Sequence, residues 1–347
     1  MGFVQWKNLC FLLYKTWSGL SILLKFSTLE KIKNLLKCYF EYLRGKEFLS
    51  SYPFTAVIDP GNRCNLRCPY CLTGSGKNKD KASLLSLESF EAIINAWGKY
   101  FYMVSLFLYG EPFLNRDILS MVRFARSKNI ACMIHSNLNI PLDRKTAESI
   151  VNSGLTHLSV SIDGASNGTY IRYRVNGNLD LVLSNINLIN DAKKRLGSRT
   201  PALIWQYLLF NHNEHELKDA ARLARDRKMH FRVIAPDCLE VSRSSMFFTR
   251  GQPFVRNGRC SFLWTTLFVT SDMRAVPCCQ WTFEHGDFGD ICLTDLHKSW
   301  NSSQFQMMRN VFSRAPSLEG GAMSQFCHHC QQNRLWAFLF ENKKGSE

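Results

Sequence analysis

From Pro53 to about residue 236, six apolar runs of strand length alternate with amphipathic segments of helix length, and nothing else in the 347-residue chain constrains its fold as much. The strand-like runs are 54–59, 104–108, 130–135, 158–163, 203–210 and 230–234. Helical spacing of apolar residues fills 87–98, 117–128, 143–153, 179–195 and 214–228 between them. A helix between two strands is the connection that parallel pairing requires. The repeat therefore predicts an α/β fold, a partial (β/α)6 TIM-like barrel over residues 51–236 with its helices outside. In such barrels the chemistry sits at the C-terminal ends of the strands.

On either side the pattern changes. Residues 1–50 read as an amphipathic helical segment with eight Lys/Arg against three Asp/Glu. Its second helix starts at Ser27-Thr28, carries Leu29, Ile32, Leu35, Leu36, Tyr39, Phe40 and Leu43, and stops at Gly45. Two uses fit such a segment: a cap packed on the barrel, or an interfacial helix lying on anionic lipid. The longest uncharged run within residues 6–26 is nine residues, against about 20 for a spanning helix. No small-residue cleavage site follows it, so the expected location is cytoplasmic; peripheral membrane contact through residues 6–44 goes with the second of these uses, the alternative to the cap. Residues 237–259 form a linker or substrate-facing loop with Arg243, Arg250, Arg256 and Arg259. Residues 260–347 read as a small α+β domain containing a hairpin near 265–278.

A net charge of +15 predicts an anionic partner. With no helix-turn-helix or RNA-binding signature, no nucleic acid is expected. An odd count of 13 cysteines in a reducing compartment favours metal over disulfides for those that cluster. Cys64, Cys68 and Cys71 fall within eight residues just after the first strand. Thiolates suit zinc or iron–sulfur, but a structural zinc wants a fourth protein ligand, whereas a cube held by three cysteines keeps one iron open.

The spacing C-x3-C-x2-C, with Tyr70 before the last cysteine, resembles the radical S-adenosylmethionine (SAM) superfamily. That resemblance implies a [4Fe–4S] cluster on Cys64, Cys68 and Cys71 with SAM at the open iron, and Tyr70 among the cofactor contacts. Tyr109-Gly110-Glu111-Pro112 closes the second strand and resembles the family's GGEP motif, with Tyr109 in place of its first glycine. Gly110, Glu111 and Pro112 are then expected at the methionine moiety of SAM. Ser136-Asn137 matches a pair near the ribose, and Ser161 and Asp163 close the fourth strand as further cofactor contacts. Arg174 looks like the arginine that pairs with the SAM carboxylate, and Gln206 and Asn211 are weaker candidates for the same cofactor.

Downstream, Cys260, Cys278-Cys279 and Cys327-His328-His329-Cys330, with their flanking residues, resemble the SPASM/Twitch extension of this family. Met273 stands where its hairpin turn usually has glycine. Only Cys292 lies between Cys279 and Cys327, so the shortened form is expected, with one auxiliary [4Fe–4S] cluster on Cys260, Cys278, Cys327 and Cys330. Cys279 is the alternative to Cys278, and a structural zinc on the same four cysteines is the competing reading. Cys10, Cys38, Cys132, Cys238, Cys279 and Cys292 remain, mostly as small buried residues. Cys238, after the sixth strand, is a candidate hydrogen-atom donor.

The resemblance implies SAM cleavage to a 5′-deoxyadenosyl radical, fed by an external one-electron reductant such as flavodoxin or ferredoxin. An auxiliary cluster that accepts the second electron makes the net reaction an oxidation of a small, anionic substrate, with the 243–259 arginines as candidate anchors. The alternatives are a redox-neutral epimerase using Cys238, a peptide-modifying enzyme, and a non-catalytic iron–sulfur or zinc protein at a membrane surface.

Overall fold

The six-fold alternation is present almost residue for residue. The computed structural model describes residues 17–77, 82–234, 255–256, 259–279, 281 and 287–313. It opens with helices α1 (Trp17–Phe26) and α2 (Leu29–Arg44), followed by β1 (Thr55–Ile58) and α3 (Leu87–Trp97). Next come β2 (Met103–Leu106), α4 (Ile118–Ser127), β3 (Ala131–Ser136), α5 (Arg144–Asn152) and β4 (His157–Ser161). Two helices, α6 (Asn167–Tyr173) and α7 (Leu179–Arg195), lead to β5 (Ala202–Leu208), α8 (Leu217–Asp226) and β6 (His230–Ile234). Strands β1 to β6 pair in chain order, each parallel to the next.

After the barrel come β7 (Val255–Arg256), β8 (Arg259–Cys260), α9 (Phe262–Thr265), β9 (Thr266–Val269), β10 (Ala275–Val276), α10 (Leu296–Trp300) and α11 (Ser303–Ser313). The expected hairpin is β9–β10, and it joins the barrel's own sheet: β9 runs parallel to β1, from Thr55↔Thr266 to Ile58↔Val269. Strand periodicity cannot reveal this pairing between partners about 210 residues apart. Met273 holds the left-handed conformation (φ 70) at the hairpin turn, a geometry glycine adopts without strain.

Buried polar groups tie the ends of the chain to the barrel. Thr28 caps α2 by accepting from Lys31 N, and Gly45 ends it in the left-handed conformation. Lys31 Nζ donates to Asn129 O at 2.7 Å, and burial lowers its pKa to about 8. Glu41 accepts from the backbone and hydroxyl groups of Ser50 and Ser51. Arg309, fully buried on α11, donates to the carbonyls of Glu47, Leu263 and Trp300. Each of these three buried charges has its partners, as burial demands. The face of α2 packed on the core is thus centred on Leu35, Cys38 and Tyr42, while Leu29, Ile32, Leu36 and Phe40 are exposed.

Candidate active site

The three-cysteine loop leaves β1 at its C-terminal end. A Cβ on Gly74 would lie 2.6 Å from Cys68 N, so the loop folds back on itself only with glycine there. Cys64, Cys68 and Cys71 are free thiols grouped with Leu66, Tyr173 and Phe210, close enough to feel one another's charge. Asn137 Nδ2 donates to Cys64 Sγ at 3.6 Å, Leu66 N at 3.5 Å, and Arg174 Nη1 reaches Cys68 Sγ at 3.8 Å. Burial pushes both thiols up, Cys68 to about 11. Ligation needs thiolates, so these donors and a bound metal must offset that cost together. Three soft donors flanked by amide and guanidinium N–H groups fit an iron–sulfur cluster. Among the described residues, no group of three His, Cys, Asp or Glu converges to hold a single ion.

The turn after β2 is pressed against this loop. A Cβ on Gly110 would come within 2.0 Å of Gly61 O and 2.5 Å of Arg63 O, and Glu111 N donates to Arg63 O. Glu111 is buried: Oε1 accepts from Ser136 Oγ (2.7 Å) and Phe113 N, and Oε2 accepts from Asn137 N (2.7 Å). Burial pushes its carboxyl up, against those donors. Pro112 opens the short 3-10 turn Pro112–Leu114. The structure therefore joins Gly110, Glu111, Ser136, Asn137 and Cys64 in one network. Tyr109 is buried, its N donating to Asp59 Oδ1 (3.3 Å) and its hydroxyl to Trp281 O (2.7 Å). The residue that departs from the family motif thus reaches the segment following Cys278-Cys279.

Asp163 and Arg174, both expected at the cofactor, meet each other. Arg174 Nε donates to Asp163 Oδ2 at 2.6 Å, while Asp163 Oδ1 accepts from Leu208 N. Burial alone would lower the Arg174 pKa, but the charges of Asp163 and Cys68 hold it well above the usual value. Tyr70 is exposed and stacks on Tyr173. Asn211 is exposed after β5. Cys260, Cys278 and Cys279 are half-buried against the main core. Cys38 and Cys132 are fully buried, their thiols pushed to about 12. Cys10, Cys238, Cys327, Cys330, the two histidines between them, Arg243 and Arg250 lie outside the described residues.

The barrel lumen holds His135, Ser159 and Arg232, which sequence reasoning missed, beside Ser161 and Gln206, which it named. Cys132 Sγ lies 3.8 Å from Val122 O of α4, so Cys132 faces the helices and its neighbours on β3 face inward. Parallel register then aligns His135 with Ser159 and Ile204, and Ser161 with Gln206 and Arg232, on the inner face. Burial and the Arg232 charge lower the His135 pKa to about 3, which keeps the imidazole neutral. Ser159 Oγ is buried without a hydrogen-bond partner among the described residues. The signal was a polar residue at alternate positions of an apolar strand, visible once the faces are assigned.

A family model described as the Radical SAM superfamily matches residues 58–224, and one described as an iron–sulfur cluster-binding domain, SPASM, matches 260–331. Over 138 residues the chain is 29% identical to an Fe-coproporphyrin III synthase of Methanosarcina barkeri, covering 40% of this chain and 34% of that protein. Over 177 residues it is 28% identical to a GTP 3′,8-cyclase of Alkaliphilus metalliredigens, covering 49% of this chain and 52% of that one. The chain therefore spans about half or less of these curated relatives. The fold is shared with Streptococcus suis SuiB bound to precursor peptide SuiA, at TM-score 0.62 and 15% identity over 88% of this chain and 75% of that one.

Proposed function

Because the chain belongs to the radical SAM superfamily and carries a C-terminal SPASM domain, which together bring SAM, a [4Fe–4S] cluster and auxiliary iron–sulfur, we propose that it oxidises a small anionic substrate held in the barrel lumen. The observation that carries this reading is the inner face itself: Arg232 beside Gln206 and Ser161, with neutral His135 below. Bound SAM and its cluster supply one-electron, hydrogen-abstracting chemistry, and the auxiliary cluster supplies an acceptor for the second electron.

The chain's own residues bind and orient. In this reading Cys64, Cys68 and Cys71 hold the first cluster, and Cys260, Cys278, Cys327 and Cys330 hold one auxiliary cluster. Glu111 receives a cationic amino group while Ser136 and Asn137 fix its two oxygens. Arg174, anchored by Asp163, keeps positive charge on the cluster loop. Arg232 takes the substrate's carboxylate or phosphate, and His135 offers a neutral hydrogen-bonding edge beside Phe107, whose ring centroid is 4.1 Å away. The adjacency of β9 and β1 supports two centres serving one substrate.

The same reading divides the chain into functional units at 1–50, 51–236, 237–259 and 260–347. It also sets the enzyme in the cytoplasm, with a flavodoxin- or ferredoxin-type donor and the N-terminal helices against a membrane surface. The test incubates anaerobically reconstituted, reduced enzyme with deuterated anionic metabolites and follows label into 5′-deoxyadenosine. An oxidised product formed once per labelled 5′-deoxyadenosine is expected. Label transfer with a redox-neutral product overturns the oxidation, and no SAM cleavage at all overturns the catalytic assignment. Arg232→Gln should raise KM for the substrate roughly ten- to hundredfold, as loss of a charge-assisted bond requires.

A further inference from the structure

Helix α2 has two apolar faces, and among the described residues only one is packed against the fold. Leu35, Cys38 and Tyr42 pack on the core, whereas Leu29 (68% exposed), Ile32, Leu36 and Phe40 (51% exposed) form a stripe along the opposite side. Their spacing of three, four and four residues keeps them on one helix face. Leu24, 76% exposed on α1, is a further exposed apolar side chain of this segment. Surface leucines scattered singly need no explanation, but a contiguous stripe does.

The stripe is bordered by cations. Lys25, Lys33, Lys37, Arg44 and Lys46 are all exposed on or just after the two helices. At its C-terminal end lies a shallow, open cleft of about 370 Å³ lined by Lys37, Phe40, Glu41, Arg44, Lys46 and Ser50. Glu41 is already engaged by four donors from Ser50 and Ser51 and lies 3.8 Å from Lys46 Nζ. With three cations against one buried carboxylate, the cleft keeps a net positive charge. Arg44 lies over the Phe40 ring at 5.9 Å, so the last apolar residue of the stripe and the cleft are continuous.

We propose that this face docks on an anionic phospholipid surface, with the Leu29–Ile32–Leu36–Phe40 stripe entering the acyl boundary and one lipid phosphate seated between Lys37, Arg44 and Lys46. An apolar face with cations at its margin is the composition that binds such an interface, and each half reinforces the other. The proposal rests on the reading that the N-terminal helices meet a membrane, and it goes further by naming the contact residues and the headgroup cleft.

Flotation of the full chain with vesicles separates these claims. Vesicles of phosphatidylcholine with 30% phosphatidylglycerol should bind the protein, and vesicles of phosphatidylcholine alone should bind at least tenfold less. Leu36→Ser with Phe40→Ser, and separately Lys37→Gln with Arg44→Gln, should each lower binding at least tenfold. Lys25→Gln with Lys33→Gln should lower it less, and Lys145→Gln, on α5, should leave it unchanged. All of these side chains are exposed, so thermal melts of the variants should match the wild type. Equal losses from the Lys25/Lys33 and Lys37/Arg44 pairs overturn the headgroup cleft while leaving the membrane reading in place. Failure of the wild type to bind the anionic vesicles overturns both, and concentration-dependent dimerisation lost in Leu36→Ser/Phe40→Ser assigns the stripe to a second copy instead.

Discussion

The two cysteine centres are built in opposite ways. The first draws three thiols from eight consecutive residues of one loop, and the structure surrounds them with Asn137 and Glu111 from two other strand ends and Arg174 from the end of α6. The second, as proposed above, draws on Cys260 and Cys278 (or Cys279), placed by a two-stranded ribbon and a hairpin, and on Cys327 and Cys330, distant in sequence. A contiguous loop needs only a strand to aim it. A dispersed set needs the tertiary fold first, so damage to packing should reach the second centre before the first.

The largest effect should come from Cys68→Ala, which should abolish SAM cleavage while the iron bound at the second centre remains measurable. Cys260→Ala should do the reverse, keeping SAM cleavage but losing the oxidised product; iron analysis with 5′-deoxyadenosine quantification checks both. If Cys260→Ala also empties the first centre, the two are one folding unit and the contrast collapses. Gly110→Ala should follow, since its new Cβ meets the Gly61 carbonyl at 2.0 Å; overpacking of this kind costs about 3 kcal/mol and should weaken SAM binding, read by calorimetry.

Tyr109→Phe should be milder. It leaves the Trp281 carbonyl without this donor, a cost of about 1–2 kcal/mol in a denaturant melt. Because the bond joins the two regions, it should also shift the electron paramagnetic resonance of the auxiliary cluster. An unchanged spectrum would make Tyr109 a packing residue of the first centre alone. Acid should act through two opposed sets of buried groups. The pKa values of His135 and His157 fall to about 3 and about 4 on folding, chiefly through burial, so the unfolded chain binds their protons first as pH drops below about 6.5. Asp59, Glu111 and Asp163, raised by burial, take up protons in the folded state and oppose them, so the histidine share is read by difference: His135→Gln/His157→Gln should lose less stability than the wild type from pH 6 towards 4 in pH-resolved melts. Cys279→Ala should do least, with iron content unchanged if Cys278 is the ligand.

The barrel was legible because hydrophobic periodicity is local: the ends of α3, β6 and α7 fall within a residue of where apolar spacing sets them. The cysteine loop and Gly110-Glu111 were legible because their chemistry is contiguous. Helix α6 was not, since its seven residues are held by the Ser166 cap and by Glu216 from a distant turn. His135 and Arg232 were hidden by their apolar neighbours; only the knowledge that Cys132 faces α4 turns them inward. Tyr109 reads as a departure from the motif because its partner, the Trp281 carbonyl, lies 172 residues away in sequence.

The placement of β9 along β1 bears on the order in which the protein is made. Strand β1 emerges from the ribosome early, but the neighbour that covers its outer edge is translated about 210 residues later. Until then the strand that aims the first cysteine loop has an open edge, able to pair wrongly. Loading of the first cluster on a nascent chain would therefore meet a half-finished cradle, and maturation should favour the released, full-length chain.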